Sequence, residues 1–238
     1  MVLNEEMGRF AMRVTARKLN RRKMLLRITI IILLIAILLL AIPYGLSVWV
    51  NKAGNFTVLV PKEFDGVLTL SNTADFANPT TVIKADIVPE MTNITKSWLP
   101  QTLHAVDGPH NGTDYIAHTF YLKNTGTEAV NYQAAINVES ATLGADEAVR
   151  VMVVRNGVET VYAKSKKGST QPEPNTTPFV SSARAMLEDV KGFQANGVDK
   201  YTVVIWLEGE DPECVDNIKG GEVKMSMNFK VIDDKVST

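Results

Sequence analysis

The amino-acid sequence predicts a mainly β protein, a jelly-roll-type β-sandwich with one short helix, preceded by a single N-terminal transmembrane helix. Three observations support this prediction. An uncharged apolar segment occupies residues 28–50, period-two alternation begins near Asn55, and the 238 residues contain one cysteine. Because one cysteine excludes an intramolecular disulfide, a hydrophobic core has to stabilise the part of the chain that follows the apolar segment.

The apolar segment 28–50 is long enough to cross a bilayer. No residue between Arg27 and Lys52 is charged. The 23 residues of the segment would form a helix of roughly 34 Å at about 1.5 Å per residue, which exceeds a hydrocarbon core of roughly 30 Å. The lipid bilayer is therefore the first predicted partner.

Four residues mark the predicted membrane anchor. Ile28, Leu34 and Leu39 lie within the apolar segment, and Trp49 stands where an aromatic side chain would sit at the membrane interface. A second interpretation stays open, because small residues around Ser47 would suit cleavage by signal peptidase. The segment is longer than the apolar part of an ordinary secretory signal, which favours a retained anchor.

Charge asymmetry predicts the orientation of the chain in the membrane. Eight of the 25 Lys and Arg residues precede Ile28, against two of the 26 Asp and Glu residues, so residues 51–238 carry a net charge of −7. Under the positive-inside rule, the basic head 1–27 is cytoplasmic and 51–238 is an extracellular domain. Beside an apolar segment, this basic run indicates topology rather than a nucleic-acid site; the residues closest to the segment are Arg21, Arg22, Lys23 and Arg27.

Alternating apolar residues and turn signals predict the strands of the extracellular domain. A first strand contains Phe56, Val58 and Val60, and others are predicted at 67–70, 132–138, 201–207 and 223–231. The segments 148–155 and 158–164 flank Asn156-Gly157, which is typical of a type I′ turn in a β-hairpin. Residues 201–207 are apolar on both faces, which predicts a central strand that is covered on both sides.

A polar segment and a helical pattern separate two of these strands. Residues 164–178 are polar and interrupted by prolines, so they are predicted to form an exposed loop. Ala183, Met186, Leu187 and Val190 follow at helical spacing behind Ser181, a residue type that caps helices. The one short helix is predicted there.

The residues that could carry chemistry do not form a recognisable motif. His104, His110 and His118 lack metal-ligand spacing, so exposed or hydrogen-bonded histidines are predicted. The acidic segment 208–216 offers carboxylates for Ca²⁺, but its spacing differs from an EF-hand, and a solvated loop is the favoured interpretation. Acidic neighbours would raise the pKa of the Cys214 thiol. The sequence therefore predicts no catalytic, cofactor-binding or metal site, no cofactor and no small-molecule substrate.

Five short segments of the chain are distinctive when taken together: Pro79-Thr80-Thr81, Met91-Thr92-Asn93-Ile94-Thr95, Tyr121-Leu122-Lys123-Asn124-Thr125-Gly126, Trp206-Leu207-Glu208-Gly209 and Gly220-Gly221-Glu222. These segments resemble the TasA- and camelysin-like surface proteins of Gram-positive bacteria. The resemblance covers most of residues 55–232 and is nearest to membrane-anchored members of that group. It implies a jelly-roll ectodomain, and in fibre-forming relatives a biofilm-matrix assembly that grows when each subunit donates an N-terminal strand.

Three functions follow from the anchor and the resemblance together. The favoured one is a non-enzymatic, surface-anchored β-sandwich that displays an interaction surface or anchors an extracellular fibre or matrix assembly. An alternative is a secreted fibre subunit, cleaved near Ser47, that adds its strand to another copy or to a related subunit; its candidate donor residues are Phe56, Val58 and Val60. A camelysin-like metallopeptidase is the second alternative, although no ligand set in the sequence supports it.

Overall fold

The computed structural model describes Met24 and residues 28–31, 56–86 and 88–232. The chain divides into two units, Met1–Lys52 and Ala53–Thr238. In the first unit the described residues are helical and exposed. Within the described residues, no helix is both long enough and apolar enough to cross a membrane. Beyond residues 28–31, the predicted anchor lies outside the part of the chain that the structure describes.

The described residues of the second unit form two β-sheets. In chain order the strands are β1 (Phe56–Leu59), β2 (Leu68–Ser71), β3 (Val82–Lys84), β4 (Gly108–Pro109), β5 (Tyr115–Asn124), β6 (Val130–Ala141), β7 (Val149–Arg155), β8 (Val158–Ala163), β9 (Thr177–Pro178), β10 (Arg184–Phe193), β11 (Val198–Leu207) and β12 (Val223–Ile232). Sheet I has the order β10-β6-β12-β1-β3. Sheet II has the order β2-β5-β11-β7-β8-β9, with β4 beside β5.

Short 3-10 helices lie in the connections between strands. Their bounds are Lys62–Phe64, Lys96–Trp98, Leu103–Ala105, Ala145–Glu147 and Asp216–Ile218. Each has three residues, so none presents a long apolar face to the core. The mainly β prediction is confirmed, and two sheets that share a core are compatible with a β-sandwich.

Two hydrophobic clusters cover the two faces of sheet II. One contains residues of both sheets, including Phe120 and Tyr201 of sheet II and Phe229 of sheet I. The other contains Trp206 and Met152 on the opposite face of sheet II, packed with residues that precede β4. Successive side chains of a strand point to opposite faces, so a strand covered on both faces is apolar along most of its length. That explains β11, and the predicted central strand at 201–207 is confirmed between β5 and β7.

The turn chemistry of the hairpin is also confirmed. Strands β7 and β8 pair antiparallel from Arg155 opposite Val158 to Arg150 opposite Ala163. Asn156 and Gly157 both have positive φ, 50° and 85°, as a type I′ turn requires. This hairpin fixes the position of Arg150 on sheet II.

The predicted short helix behind Ser181 is wrong, because that segment is strand β10. It pairs antiparallel with β6, and its register shifts between Arg184 and Met186 and again between Val190 and Phe193. A β-bulge adds one residue to one strand and interrupts the alternation of faces. The first irregularity lies among the residues that gave the helical spacing, and Leu187, one of those residues, is 38% exposed, so the spacing does not mark one buried face.

Candidate functional site

A buried arginine on β7 is the starting point of the candidate site. Arg150 is 4% exposed and lies opposite Trp206 of β11 and Ala163 of β8. It alternates with Val149 and Val151, which face the core shared by the two sheets. Its side chain is therefore on the opposite face, where the loops after β8 and β11 cover it. A buried guanidinium requires close partners, because its removal from water is costly.

Two carboxylates from different loops contact this guanidinium. The loop after β11 supplies Asp211, whose Oδ2 lies 2.5 Å from Arg150 Nη2. The loop between β8 and β9 supplies Glu173, whose Oε2 lies 4.0 Å from the same nitrogen. Both carboxylates are 5% exposed. The β7 strand thus holds together two loops that are distant in sequence.

A third carboxylate completes what we call the carboxylate cluster, Glu173, Asp211 and Glu213. One oxygen from each of the three residues lies within 4.8 Å of the others. The backbone N–H of Glu213 donates to Asp211 Oδ1 at 2.8 Å. A hydrogen bond with the Asp211 carboxyl raises the pKa of Glu213. Burial and the charges of Asp211 and Glu173 act in the same direction, and a hydrogen bond from the Lys167 backbone opposes them. Among these groups, three carboxylates face one guanidinium.

Local turns hold the cluster residues in place. The backbone N–H and hydroxyl of Thr176 donate to the Glu173 carbonyl at 3.2 and 2.9 Å. In the other loop, the backbone N–H of Asp211 donates to the Glu208 carbonyl, and that of Cys214 donates to the Asp211 carbonyl. Glu173 Oε1 is buried and has no hydrogen-bond partner among the described residues.

Glu173 and Glu213 of the cluster line a cleft of about 390 Å³ together with Trp206 and Glu208. Glu208 Oε2 accepts from Trp206 Nε1 at 3.1 Å and from the backbone N–H of Lys96 at 3.3 Å. The Glu208 carboxylate is therefore already hydrogen-bonded to donors in the wall of the cleft. Lys166 and Glu210 line the cleft from exposed positions.

The sequence prediction of a solvated acidic loop is wrong for two of its residues. Glu208 and Asp211 are 9% and 5% exposed, because Trp206 and Arg150 bind them on the outer face of sheet II. Glu210 and Asp216 are exposed, as predicted. The predicted exposed loop 164–178 likewise contains one buried residue, Glu173.

The three histidines do not belong to the carboxylate cluster. His118 is 0% exposed, and its Nε2 lies 2.8 Å from Asn72 Oδ1. The pKa of His118 is lowered to about 4, mainly by burial and also by the His110 charge, while Asp86 acts in the opposite direction. His110 Nδ1 lies 2.8 Å from the Gly108 carbonyl, and His104 is exposed. The prediction of exposed or hydrogen-bonded histidines is confirmed.

Cys214 lies beside the cluster without joining it. Burial raises the pKa of its thiol, and the charges of Asp211 and Glu208 raise it further, against the opposing effect of Arg150. The predicted direction is confirmed. A thiol with a raised pKa is a weak nucleophile at neutral pH.

The predicted donor residues lie inside sheet I. Strand β1 pairs parallel with β12 on one side and antiparallel with the three-residue β3 on the other. Phe56, Val58 and Val60 are 0%, 0% and 3% exposed. Of the membrane and topology residues, Ile28 is helical and 43% exposed. The others lie outside the described residues: Leu34, Leu39, Trp49, Arg21, Arg22, Lys23 and Arg27.

Comparison with known proteins yields little. No protein-family model and no curated protein matches the chain. Among solved structures, a β-glucosidase from Kluyveromyces marxianus in complex with glucose aligns with 71% of this chain and 16% of its own, with 13% identity and a TM-score of 0.24. The chain thus spans about a sixth of that enzyme's length. A likeness this weak carries no argument about fold or activity.

Proposed function

We propose that the protein is a non-enzymatic, single-pass cell-surface protein. A helix at 28–50 anchors it in the cell membrane with the head 1–27 in the cytoplasm, and residues 51–238 form an extracellular β-sandwich of jelly-roll type. There it displays an interaction surface or anchors an extracellular fibre or matrix assembly. The observation that carries the proposal is the order of features in the sequence: a basic head, 23 uncharged apolar residues and, after the five residues 51–55, strand β1.

The strand arrangement and the resemblance to TasA- and camelysin-like proteins add support. The first and last strands, β1 and β12, are neighbours in sheet I, so the chain enters the β unit at a fixed, hydrogen-bonded position. The hydrophobic core stabilises this unit without a disulfide, and a unit stabilised in that way can present an interaction surface. The proposed partners are the bilayer and an extracellular protein, either a second copy or a related fibre subunit.

The topology is tested on intact cells of a Gram-positive host that express the full chain with a different epitope tag at each end. A protease added outside should remove the C-terminal tag and leave the N-terminal tag protected. The same treatment of lysed cells, as a control, should remove both tags. Loss of the N-terminal tag from intact cells would reverse the proposed orientation.

Polymerisation by strand exchange is a second candidate, and the position of β1 favours it. Phe56 and Val58 fill the core, and only β3 lies beyond β1 in sheet I. Withdrawal of β1 would expose the edge of β12 and two side-chain pockets. A β1 strand from another copy fits that edge in the same parallel register.

N-terminal sequencing of the mature protein separates the two candidates. A chain that keeps residues 28–50 supports the anchored protein, whereas a chain that begins after Ser47 supports a fibre subunit. For the latter, a variant that lacks 55–61 should form no filaments and should bind an added 55–61 peptide but not a scrambled one. A cleaved protein that stays monomeric at every concentration would contradict strand exchange.

A further inference from the structure

The carboxylate cluster contains more negative charge than its neighbours neutralise. Arg150 is the buried cation that contacts Glu173 and Asp211. Lys96, which also lines the cleft, bonds Glu159 Oε1 at 2.5 Å. Lys166 lines the same cleft from an exposed position. One guanidinium therefore accompanies three carboxylates at the point where two loops meet.

A second observation concerns Glu173, which belongs to a different loop from the other two carboxylates. It is 95% buried, since its exposed fraction is 5%, and its Oε1 has no hydrogen-bond partner among the described residues. Buried carboxylate oxygens normally accept hydrogen bonds or bind a metal ion, because an unpartnered one loses its hydration without compensation. This oxygen belongs to a carboxylate that faces Asp211 and Glu213, within reach of a shared ion.

We propose that Glu173, Asp211 and Glu213 form a Ca²⁺ site that connects the loop between β8 and β9 to the loop after β11. Two oxygens that share a Ca²⁺ ion at the ordinary Ca–O distance of about 2.4 Å can lie at most about 4.8 Å apart, and the three oxygens of the cluster lie within that limit of one another. The set contains only oxygen ligands, which suits a hard cation. The cleft beside it admits water to fill the remaining coordination positions.

The arrangement favours Ca²⁺ over Mg²⁺ and limits the affinity. Mg²⁺ demands near-ideal octahedral geometry at roughly 2.1 Å, whereas Ca²⁺ accepts irregular sets of carboxylates. Arg150 repels any cation at the cluster and already occupies one Asp211 oxygen. We therefore expect a dissociation constant on the order of 10⁻⁴–10⁻³ M, the range of extracellular Ca²⁺ modules. The site is independent of whether the protein polymerises or stays anchored.

The proposal is tested with the full chain purified in detergent micelles. After treatment with a chelator, thermal unfolding is followed while CaCl₂ is titrated at constant ionic strength, with MgCl₂ in a parallel titration. Ca²⁺ should raise the melting temperature in a saturable way that a chelator reverses. Isothermal titration calorimetry on the same sample should give one site per chain.

Three variants assign the response to the cluster. Glu173→Gln and Glu213→Gln should each weaken Ca²⁺ binding at least tenfold, and Glu213 is the more exposed of the two, so its replacement is the safer one for folding. Glu210→Gln, an exposed change in the same cleft, should leave binding within twofold of the wild type. No saturable response in the wild-type chain, or equal responses in all variants, would overturn the site. An equal response to Mg²⁺ would overturn its assignment to Ca²⁺.

Discussion

Two buried polar groups of residues lie at opposite faces of sheet II, and they differ in how fully their members are paired. In the first, which we call the tyrosine network, Tyr132 donates to Asp199 and shares a 2.7 Å hydrogen bond with Tyr201. Asn156 Nδ2 donates to the other Asp199 oxygen at 2.6 Å, and Arg155 Nη1 lies 3.7 Å from Asp199. Both oxygens of this buried carboxylate have partners.

The carboxylate cluster differs because its oxygens outnumber its donors. The guanidinium of Arg150 contacts both Asp211 and Glu173, and Glu173 Oε1 has no hydrogen-bond partner among the described residues. Buried polar groups that are fully paired specify structure, whereas partly paired ones carry a cost unless something else binds them. The comparison indicates a structural role for the tyrosine network and a binding role for the carboxylate cluster.

Replacement of the buried arginine should have the largest effect on stability. Arg150→Met leaves Asp211 and Glu173 buried without a cation, which is expected to reduce the free energy of unfolding by about 3–5 kcal/mol. Arg155→Met is the matched control on the same strand. Its side chain is 31% exposed, so a loss of about 1 kcal/mol is expected. Urea denaturation of both variants measures the difference, and equal losses would contradict the comparison.

Removal of one hydroxyl tests the tyrosine network. Tyr132→Phe deletes the donor to Asp199 and the contact with Tyr201, which should lower the free energy of unfolding by roughly 1–3 kcal/mol. Tyr121→Phe is the control, since its hydroxyl donates at 2.7 Å to Asp107, a carboxylate whose side chain is 38% exposed. We expect a smaller loss there because water can replace the bond. A Tyr132→Phe protein as stable as wild type would refute the structural role.

Amide replacements should have opposite signs in the two groups. Asp199→Asn weakens the hydrogen bonds of a carboxylate whose two oxygens both have partners, so this replacement should destabilise the protein. In the presence of a chelator, Glu173→Gln removes a buried surplus charge and should raise the free energy of unfolding by about 1 kcal/mol. Chemical denaturation of both variants at the same pH checks the signs. Destabilisation by Glu173→Gln without Ca²⁺ would mean that the negative charge of the cluster is already neutralised by its neighbours.

The sequence predicted the parts of the fold that depend on local chemistry. Asn156-Gly157 identified the β7–β8 hairpin because few other residue pairs accept two positive φ values. The helix behind Ser181 was wrong because the bulges of β10 depend on its pairing with β6, which no local pattern records. The anchor at 28–50 stays a prediction.

The sequence offered the segment 208–216, which contains Asp211 and Glu213, as carboxylates for Ca²⁺ but favoured a solvated loop, and Glu173 was missed because it meets the other two only after folding. Glu173 and Asp211 lie on separate loops, and neither has a recognisable motif around it. One signal was present in the sequence: Arg150 interrupts the run of apolar residues from Val149 to Val154, which covers both faces of β7. A charge in such a strand predicts a buried partner, although it does not say which carboxylate supplies it.

The pH dependence of stability gives the smallest expected difference between the two groups. The pKa of Glu213 is raised above its ordinary 4.5 by the Asp211 carboxyl, so the folded protein binds this proton more tightly than the unfolded chain does. Its contribution is favourable below pH 4.5 and is lost as the pH rises through the folded-state pKa. In the presence of a chelator, the stability of Glu213→Gln relative to wild type should therefore increase as the pH rises from 4.5 toward neutrality.

Glu210→Gln serves as the control for this prediction. Saturating Ca²⁺ should reverse the trend, because the ion favours the ionised carboxylate. A relative stability of Glu213→Gln that stays constant with pH would show that the carboxyl groups of Glu213 and Asp211 do not interact.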